Sequence, residues 1–256
     1  MFSPGVGNLT LYYSSLLSEI ASRGFVIAAL WHPYSTEVVA FPDGTVQRIN
    51  AAGGVGGIPP TEQMAKLERL GRVWADDQRF ALDQLTAWNA QHPQLRGHLD
   101  LQRVGAFGHS LGGAAAAHAA HVDDRIDAVI NMDGAMFGEV TTAGSRVPFL
   151  LIAAERPVLS DGELKQVGVT REQADAWIDS MVNVQRTLVA RSRDARAEKL
   201  NQSKHNTFMT DMLFFTTALP AARRTGLVGD VDPATAFGQI STWIGEFTAR
   251  HVQAAR

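Results

Sequence analysis

Apolar residues recur along this chain at two alternating periods. Residues 25–30, Phe-Val-Ile-Ala-Ala-Leu, form an unbroken apolar run between turn residues, the pattern of a strand buried on both faces of a parallel sheet. Val104-Gly105-Ala106-Phe107, Ala128-Val129-Ile130-Asn131-Met132 and Pro148-Phe149-Leu150-Leu151-Ile152 are three further runs, and a short strand is expected near 199–201. Between them the period becomes helical. Tyr12, Tyr13, Leu16, Leu17, Ile20 and Ala21 share one face of a helix closed by Gly24. Trp74, Ala81, Leu82, Leu85 and Trp88 share a face of a longer helix, with Asp76, Asp77 and Arg79 between them. Ala174, Trp177, Ile178 and Met181 mark a helical insertion over about 156–193. Asp232-Pro233 caps a last helix that buries Ile240, Trp243, Ile244 and Phe247.

Two glycine-bearing stretches interrupt this pattern. Pro42-Asp43-Gly44 reads as a turn between short strands. Gly53-Gly54-Val55-Gly56-Gly57 lacks the Lys-Ser/Thr ending of a phosphate loop and does not join a buried strand to a helix, so it reads as a flexible loop. Strands alternating with helices predict an α/β chain with a mostly parallel sheet covered on both faces. A chain of 256 residues, 45% hydrophobic and 19% charged, can bury one sizeable core, and a single domain over 1–256 is expected.

Composition then narrows the chemistry. A net charge of −3 offers no broad positive field for a polyanion, so nucleic acid is not expected and a small neutral substrate fits better. The absence of cysteine removes disulfides, thiolate metal sites and a cysteine nucleophile. No apolar run is long enough to cross a bilayer, and no basic segment followed by an apolar stretch marks a secretory leader.

The candidate chemistry begins at Gly108-His109-Ser110-Leu111-Gly112, a G-x-S-x-G elbow lying where that motif requires, between a buried strand and an alanine-rich helix. The sharp turn needs small residues two before and two after the serine, and the helix N-terminus turns unpaired N–H groups toward charge developing at Ser110. This is the signature of the α/β-hydrolase fold. A serine hydroxyl needs a base, and of the eight histidines only His205 and His251 follow the insertion. His251 ends the terminal helix, whereas His205 sits in the polar loop Ser203-Lys204-His205-Asn206-Thr207, and His205 is taken as the base. His109 is read as structural, its side chain turned away from the serine; His32, leaving a strand end, is a candidate pocket residue. The carboxylate that orients the base is either Asp133, after the strand 128–132, or Glu155, after the next one. The oxyanion donors are read as the N–H groups of Leu111 and of Val6, the latter between Gly5 and Gly7.

These residues resemble one family, the platelet-activating-factor acetylhydrolases of the plasma and type II forms and their bacterial relatives. Phe2-Ser3-Pro4-Gly5-Val6-Gly7 is similar to the family's F-S-H-G-x-G loop, residues 21–29 to A-S-x-G-Y-V-V-A-A, and residues 108–113 to G-H-S-F-G-G. Asn131-Met132-Asp133-Gly134-Ala135-Met136-Phe137 resembles its L-D-x-W-M-F run, and Ser203-Lys204-His205-Asn206-Thr207-Phe208 its S-x-H-x-x-F. The resemblance implies Asp133 rather than Glu155 as the triad acid. It also implies hydrolysis of short or oxidised acyl esters, such as the sn-2 acetyl of an ether phospholipid, without metal or other cofactor. Trp31, Tyr34, Met136, Phe137 and Phe208 are then expected to wall an apolar acyl pocket. Pro4 departs from the family's histidine, the insertion over 156–193 is longer than usual, and the chain begins where the family has already completed two or more strands, so a sheet lacking its first strands is expected. Two other readings accompany this one: an aryl-ester or polyester esterase of the same fold, and a non-catalytic protein on a hydrolase scaffold.

Overall fold

Three runs of buried residues, 105–109, 128–132 and 149–153, form the middle of a parallel sheet, as strands without a polar face must. The computed structural model describes residues 1–58, 60–215 and 217–252. In chain order the elements are β1 (Phe2–Ser3), a 3-10 turn at Thr10–Tyr13 leading into α1 (Ser14–Ser22), the hairpin β2 (Val38–Ala40) and β3 (Val46–Arg48), α2 (Pro60–Gln91), β4 (Gly105–His109) and α3 (Leu111–Val122). There follow β5 (Ala128–Met132), α4 (Val140–Ala143), β6 (Phe149–Ala153), α5 (Asp161–Val167), α6 (Arg171–Arg191) and β7 (Ala195–Lys199). Two 3-10 turns at His205–Phe208 and Thr210–Phe214, α7 (Leu219–Arg224) and α8 (Pro233–His251) complete the chain.

The sheet runs β1-β4-β5-β6-β7, every pair parallel. Alternate strand residues feed two separate cores. Ala106, Val129, Phe149 and Leu151 face α2, α3 and α6, where they meet Trp74, Leu82, Ala116 and Leu188. Phe107, Ile130, Met132, Leu150 and Ile152 face α1 and α8, where they meet Leu16, Ile20, Ile240 and Ile244. This period-2 division is what places a helical layer on each face. Asp232 begins α8 as expected, its carboxylate accepting from the Thr235 N–H at 2.8 Å with Pro233 in the first turn.

Four expectations need correction. Residues 25–30 are not a strand buried on both faces: Ala29 bridges Phe2, Phe2 N–H donates to the Ala28 carbonyl and Leu30 N–H to the Phe2 carbonyl, but Val26 is exposed. The segment borders the sheet at β1, where an apolar cavity of about 320 Å³ lined by Met1, Phe25, Ile27, Leu82 and Leu85 adjoins it. Trp88 and Trp177 share the spacing of their helices' apolar faces yet are exposed. The last strand lies at 195–199 rather than 199–201, half-exposed as an edge strand. Finally, the segment over 156–193 is not wholly an insertion. Two parallel neighbours need a crossover, and α6, which buries Leu188 beneath β6 and β7, supplies it.

Candidate active site

The nucleophile candidate sits where β4 turns into α3. Ser110 has φ 55° and ψ −128°, a conformation a non-glycine residue adopts only under constraint, at a cost of roughly 1–3 kcal/mol. The constraint is visible on both sides. Its N–H donates to the Met132 carbonyl at 2.9 Å, and its own carbonyl accepts from Gly113 and Ala114, both at 3.1 Å. A Cβ at Gly108 would lie 2.5 Å from the Ser3 carbonyl oxygen, and one at Gly112 2.2 Å from the same atom. Glycine before and after the serine is therefore a demand of β1, whose backbone crosses the elbow. Leu111, as the first helical residue, has no intrahelical acceptor for its N–H.

The other two groups arrive from neighbouring strand ends. Asp133 follows β5 with φ 56°, and its N–H donates to the Ile152 carbonyl at 2.8 Å. One carboxylate oxygen accepts from the Ala154 N–H at 2.8 Å; the other lies 2.7 Å from Nδ1 of His205. The opposite ring nitrogen, Nε2, lies 2.9 Å from Ser110 Oγ. With the proton on Nδ1, held by the carboxylate, Nε2 is left to accept from the serine hydroxyl. Ser110, His205 and Asp133 thus form one hydrogen-bonded line. Glu155 does something else: its carboxylate accepts from the Gln202 N–H at 2.9 Å, steadying the loop ahead of His205.

The loop carrying Val6 lies against the elbow. A Cβ on Gly5 would be 3.2 Å from Cβ of Ser110, so the backbone next to Val6 passes directly over the serine. Gly7 N–H donates to the Ser35 carbonyl at 2.8 Å, tying this loop to residues 31–36. His109 is turned away from the serine, as expected: it is fully buried, with Nδ1 2.7 Å from the Tyr13 hydroxyl and Nε2 3.0 Å from the His205 carbonyl. Burial first, and the neighbouring His205 second, hold its pKa well below the ordinary histidine value.

The expected pocket walls divide. Trp31 and Tyr34 are partly exposed at this end of the sheet, Trp31 donating from its indole to the Thr10 hydroxyl, and Tyr34 holding a φ of 67° with Gly53 packed on its carbonyl. Met136, Phe137 and Phe208 are core residues instead. Met136 sulfur accepts from the Asn131 amide, the Phe137 ring fills the space above Gly71 of α2, and Phe208 packs beside the His109 ring. An apolar residue after a strand end can turn inward or outward, and only the packing of α2 over this loop chooses inward. His32 is likewise no pocket wall. It is buried and stacked on Trp74 at 3.8 Å, with Nδ1 2.6 Å from the Asp77 carboxylate and Nε2 2.8 Å from the Ser3 hydroxyl. Burial outweighs the carboxylate and keeps its pKa below the ordinary value. Neither this chain nor the Tyr13–His109 pair was signalled by spacing, since their members lie 29 to 96 positions apart.

Among the described residues no group of three or more histidine, cysteine or acidic side chains could hold a metal ion, and no helix is long and apolar enough to cross a membrane.

A parallel sheet flanked by helices, with a strained serine between strand and helix and a histidine and an acid at later strand ends, defines an α/β-hydrolase fold. Comparison with known proteins narrows this. Residues 77–247 match the model of the family described as platelet-activating factor acetylhydrolase, isoform II, and the chain belongs to that family. It is 30% identical over 144 residues to a protein of Arthroderma benhamiae named "Probable 1-alkyl-2-acetylglycerophosphocholine esterase", covering 56% of this chain and 33% of that one. It is 27% identical over 164 residues to a platelet-activating factor acetylhydrolase of Cavia porcellus, covering 58% of this chain and 37% of that one. The chain thus spans only about a third of the length of these curated relatives. A ferulic acid esterase from Streptomyces cinnamoneus has a similar structure, with a TM-score of 0.75 and 26% identity over 98% of this chain and 66% of its own.

Proposed function

We propose that this chain hydrolyses carboxylic esters through an acyl-enzyme on Ser110, with short acyl esters of the acetylglycerophosphocholine type as the substrate class. The observation that carries the reading is the line from Ser110 Oγ through His205 to Asp133, at 2.9 and 2.7 Å. Ser110 Oγ attacks the ester carbonyl carbon while its proton passes to Nε2 of His205. Asp133 holds the imidazole in the required tautomer and stabilises the imidazolium. Charge on the carbonyl oxygen is met by the N–H groups of Leu111 and Val6, donors of a kind whose individual removal costs about a hundredfold to a thousandfold in kcat. The intermediate collapses as His205 returns its proton to the leaving alkoxide. Water then attacks the acyl carbon, giving its proton to the same nitrogen, and Ser110 is released with the carboxylic acid.

A second reading, an ester of an aryl acid or aryl alcohol, is favoured by the similarity to the ferulic acid esterase and by the exposed rings of Trp31 and Tyr34. Turnover of p-nitrophenyl acetate, lost in Ser110→Ala, tests the chemistry. Comparing 2-acetyl glycerophosphocholine ethers, longer acyl chains and methyl ferulate separates the substrates. Undiminished turnover in Ser110→Ala would overturn the reading.

A further inference from the structure

We infer that Tyr13 and His109 form a hydrogen-bonded brace that ties the loop carrying Val6 to the backbone of His205, and so act as positioning residues for both sides of the site. The inference rests on the roles proposed above for Ser110, His205 and Val6.

Every proton in the brace can be assigned. The His205 carbonyl can only accept, so Nε2 of His109, 3.0 Å away, carries hydrogen and donates to it. In a neutral imidazole Nδ1 is then a bare acceptor, and the Tyr13 hydroxyl at 2.7 Å donates into it. The Tyr13 oxygen in turn accepts from the Asn8 side-chain amide at 3.1 Å and, at a longer 3.5 Å, from the Gly5 N–H. A cationic His109 would break this order. Both its nitrogens would donate, and the Tyr13 hydroxyl proton would face only the donors of Asn8 and Gly5. Complete burial of His109 acts in the same direction.

Each end of the brace is one residue or less from a group proposed to act on substrate. Gly5 precedes Val6, His109 precedes Ser110, and the carbonyl held by Nε2 belongs to His205 itself. Gly5 leaves room for this approach, since a Cβ there would lie 3.2 Å from Nδ1 of His109. The fixed tautomer has an electrostatic consequence as well. The rings of His109 and His205 are 4.6 Å apart, so a charge on the first would oppose the imidazolium that forms on the second during acyl transfer. A neutral donor in its place orients the loop without that repulsion.

The test uses Tyr13→Phe, which keeps the ring against Phe2 while removing the hydroxyl, together with His109→Gln and the double variant, assayed on p-nitrophenyl acetate. Misplacing reacting groups by about 1 Å can cost a hundredfold. A brace predicts a fall in kcat of about tenfold or more in each single variant, with KM within about twofold. Because both substitutions break one chain, the double variant should be no worse than the weaker single one within about twofold. Imidazole ¹⁵N NMR of the native protein should show His109 protonated at Nε2 and bare at Nδ1 from pH 8 to pH 5. Unchanged kcat in Tyr13→Phe, multiplying losses in the double variant, or a proton on Nδ1 at neutral pH each overturn the brace. Should His109→Gln fail to fold, Tyr13→Phe and the NMR measurement decide. A native protein that turns over ester while Tyr13→Phe keeps full kcat refutes the brace alone. One that neither hydrolyses ester nor takes a fluorophosphonate label refutes the proposed function and the brace together.

Discussion

The carboxylate of Asp77 lies 2.6 Å from Nδ1 of His32, whose other nitrogen holds the Ser3 hydroxyl at 2.8 Å. The protein therefore contains two Ser–His–Asp chains of nearly identical hydrogen-bond order. They differ in access and in backbone. Ser3 is fully buried in an ordinary strand, whereas Ser110 is partly open to solvent on a strained turn. A base can activate a hydroxyl only where an electrophile can reach it. A fluorophosphonate should thus label Ser110 alone, with mass spectrometry placing the adduct on its peptide. Ser110→Ala should abolish labelling although Ser3, His32 and Asp77 remain. An adduct on Ser3 would refute this assignment.

Asp133 and Glu155 provide the second contrast. Asp133→Asn should lower kcat by about three to four orders of magnitude, because an amide can hold the imidazole in the wrong tautomer and cannot stabilise its cation. Glu155→Gln should cost about tenfold at most, since it loses only a charge-assisted bond to the Gln202 N–H. Steady-state kinetics on one chromogenic ester compares the two. Equal losses would assign Glu155 a larger part than its contacts provide.

Glycine contacts predict opposite effects of one substitution at two helical sites. Gly112→Ala places a methyl 2.2 Å from the Ser3 carbonyl oxygen and 2.4 Å from that of Pro4, so β1 must move. A loss of about 3 kcal/mol or more is expected in chemical denaturation. Gly238→Ala in α8 meets nothing within 4 Å and should gain up to about 1 kcal/mol, the difference in helix propensity. A neutral Gly112→Ala would mean that β1 does not cross the elbow as described.

Acid should weaken the fold from an early point. His32 and His109 are held below the ordinary histidine value, chiefly by burial in both cases. Above about pH 6.5 both are neutral folded and unfolded, and their contribution is fully present. Below it the unfolded chain binds protons that the folded chain refuses, and stability falls until the folded values are reached. The slope is at most about 1.4 kcal/mol per pH unit for each histidine. Denaturation midpoints should therefore fall from pH 7 to pH 5; a flat or rising midpoint would contradict the buried, neutral state of these groups.

Much was legible in the residues themselves, for reasons of period and local geometry. Mostly apolar runs at 104–107, 128–132 and 148–152 read as strands covered twice and are so, whereas the equally apolar run at 25–30 is not, and glycines at 108 and 112 around a serine only suit a turn too tight for a side chain. Ser110 and His205 followed from motif and chain order. Asp133 needed the family resemblance, because two strand-end carboxylates look alike along a chain and differ only in which one the imidazole reaches. Tertiary structure alone decided the rest. Met136 and Phe137 turned inward because α2 lies over them, residues 25–30 met the sheet along one side only, and His32 and His109 became struts beneath the two loops. Local pattern states which residues prefer an apolar neighbour or a tight turn. It carries no record of which distant element supplies that neighbour, and every hydrogen-bond partner of the His32 and His109 rings comes from another element of the fold.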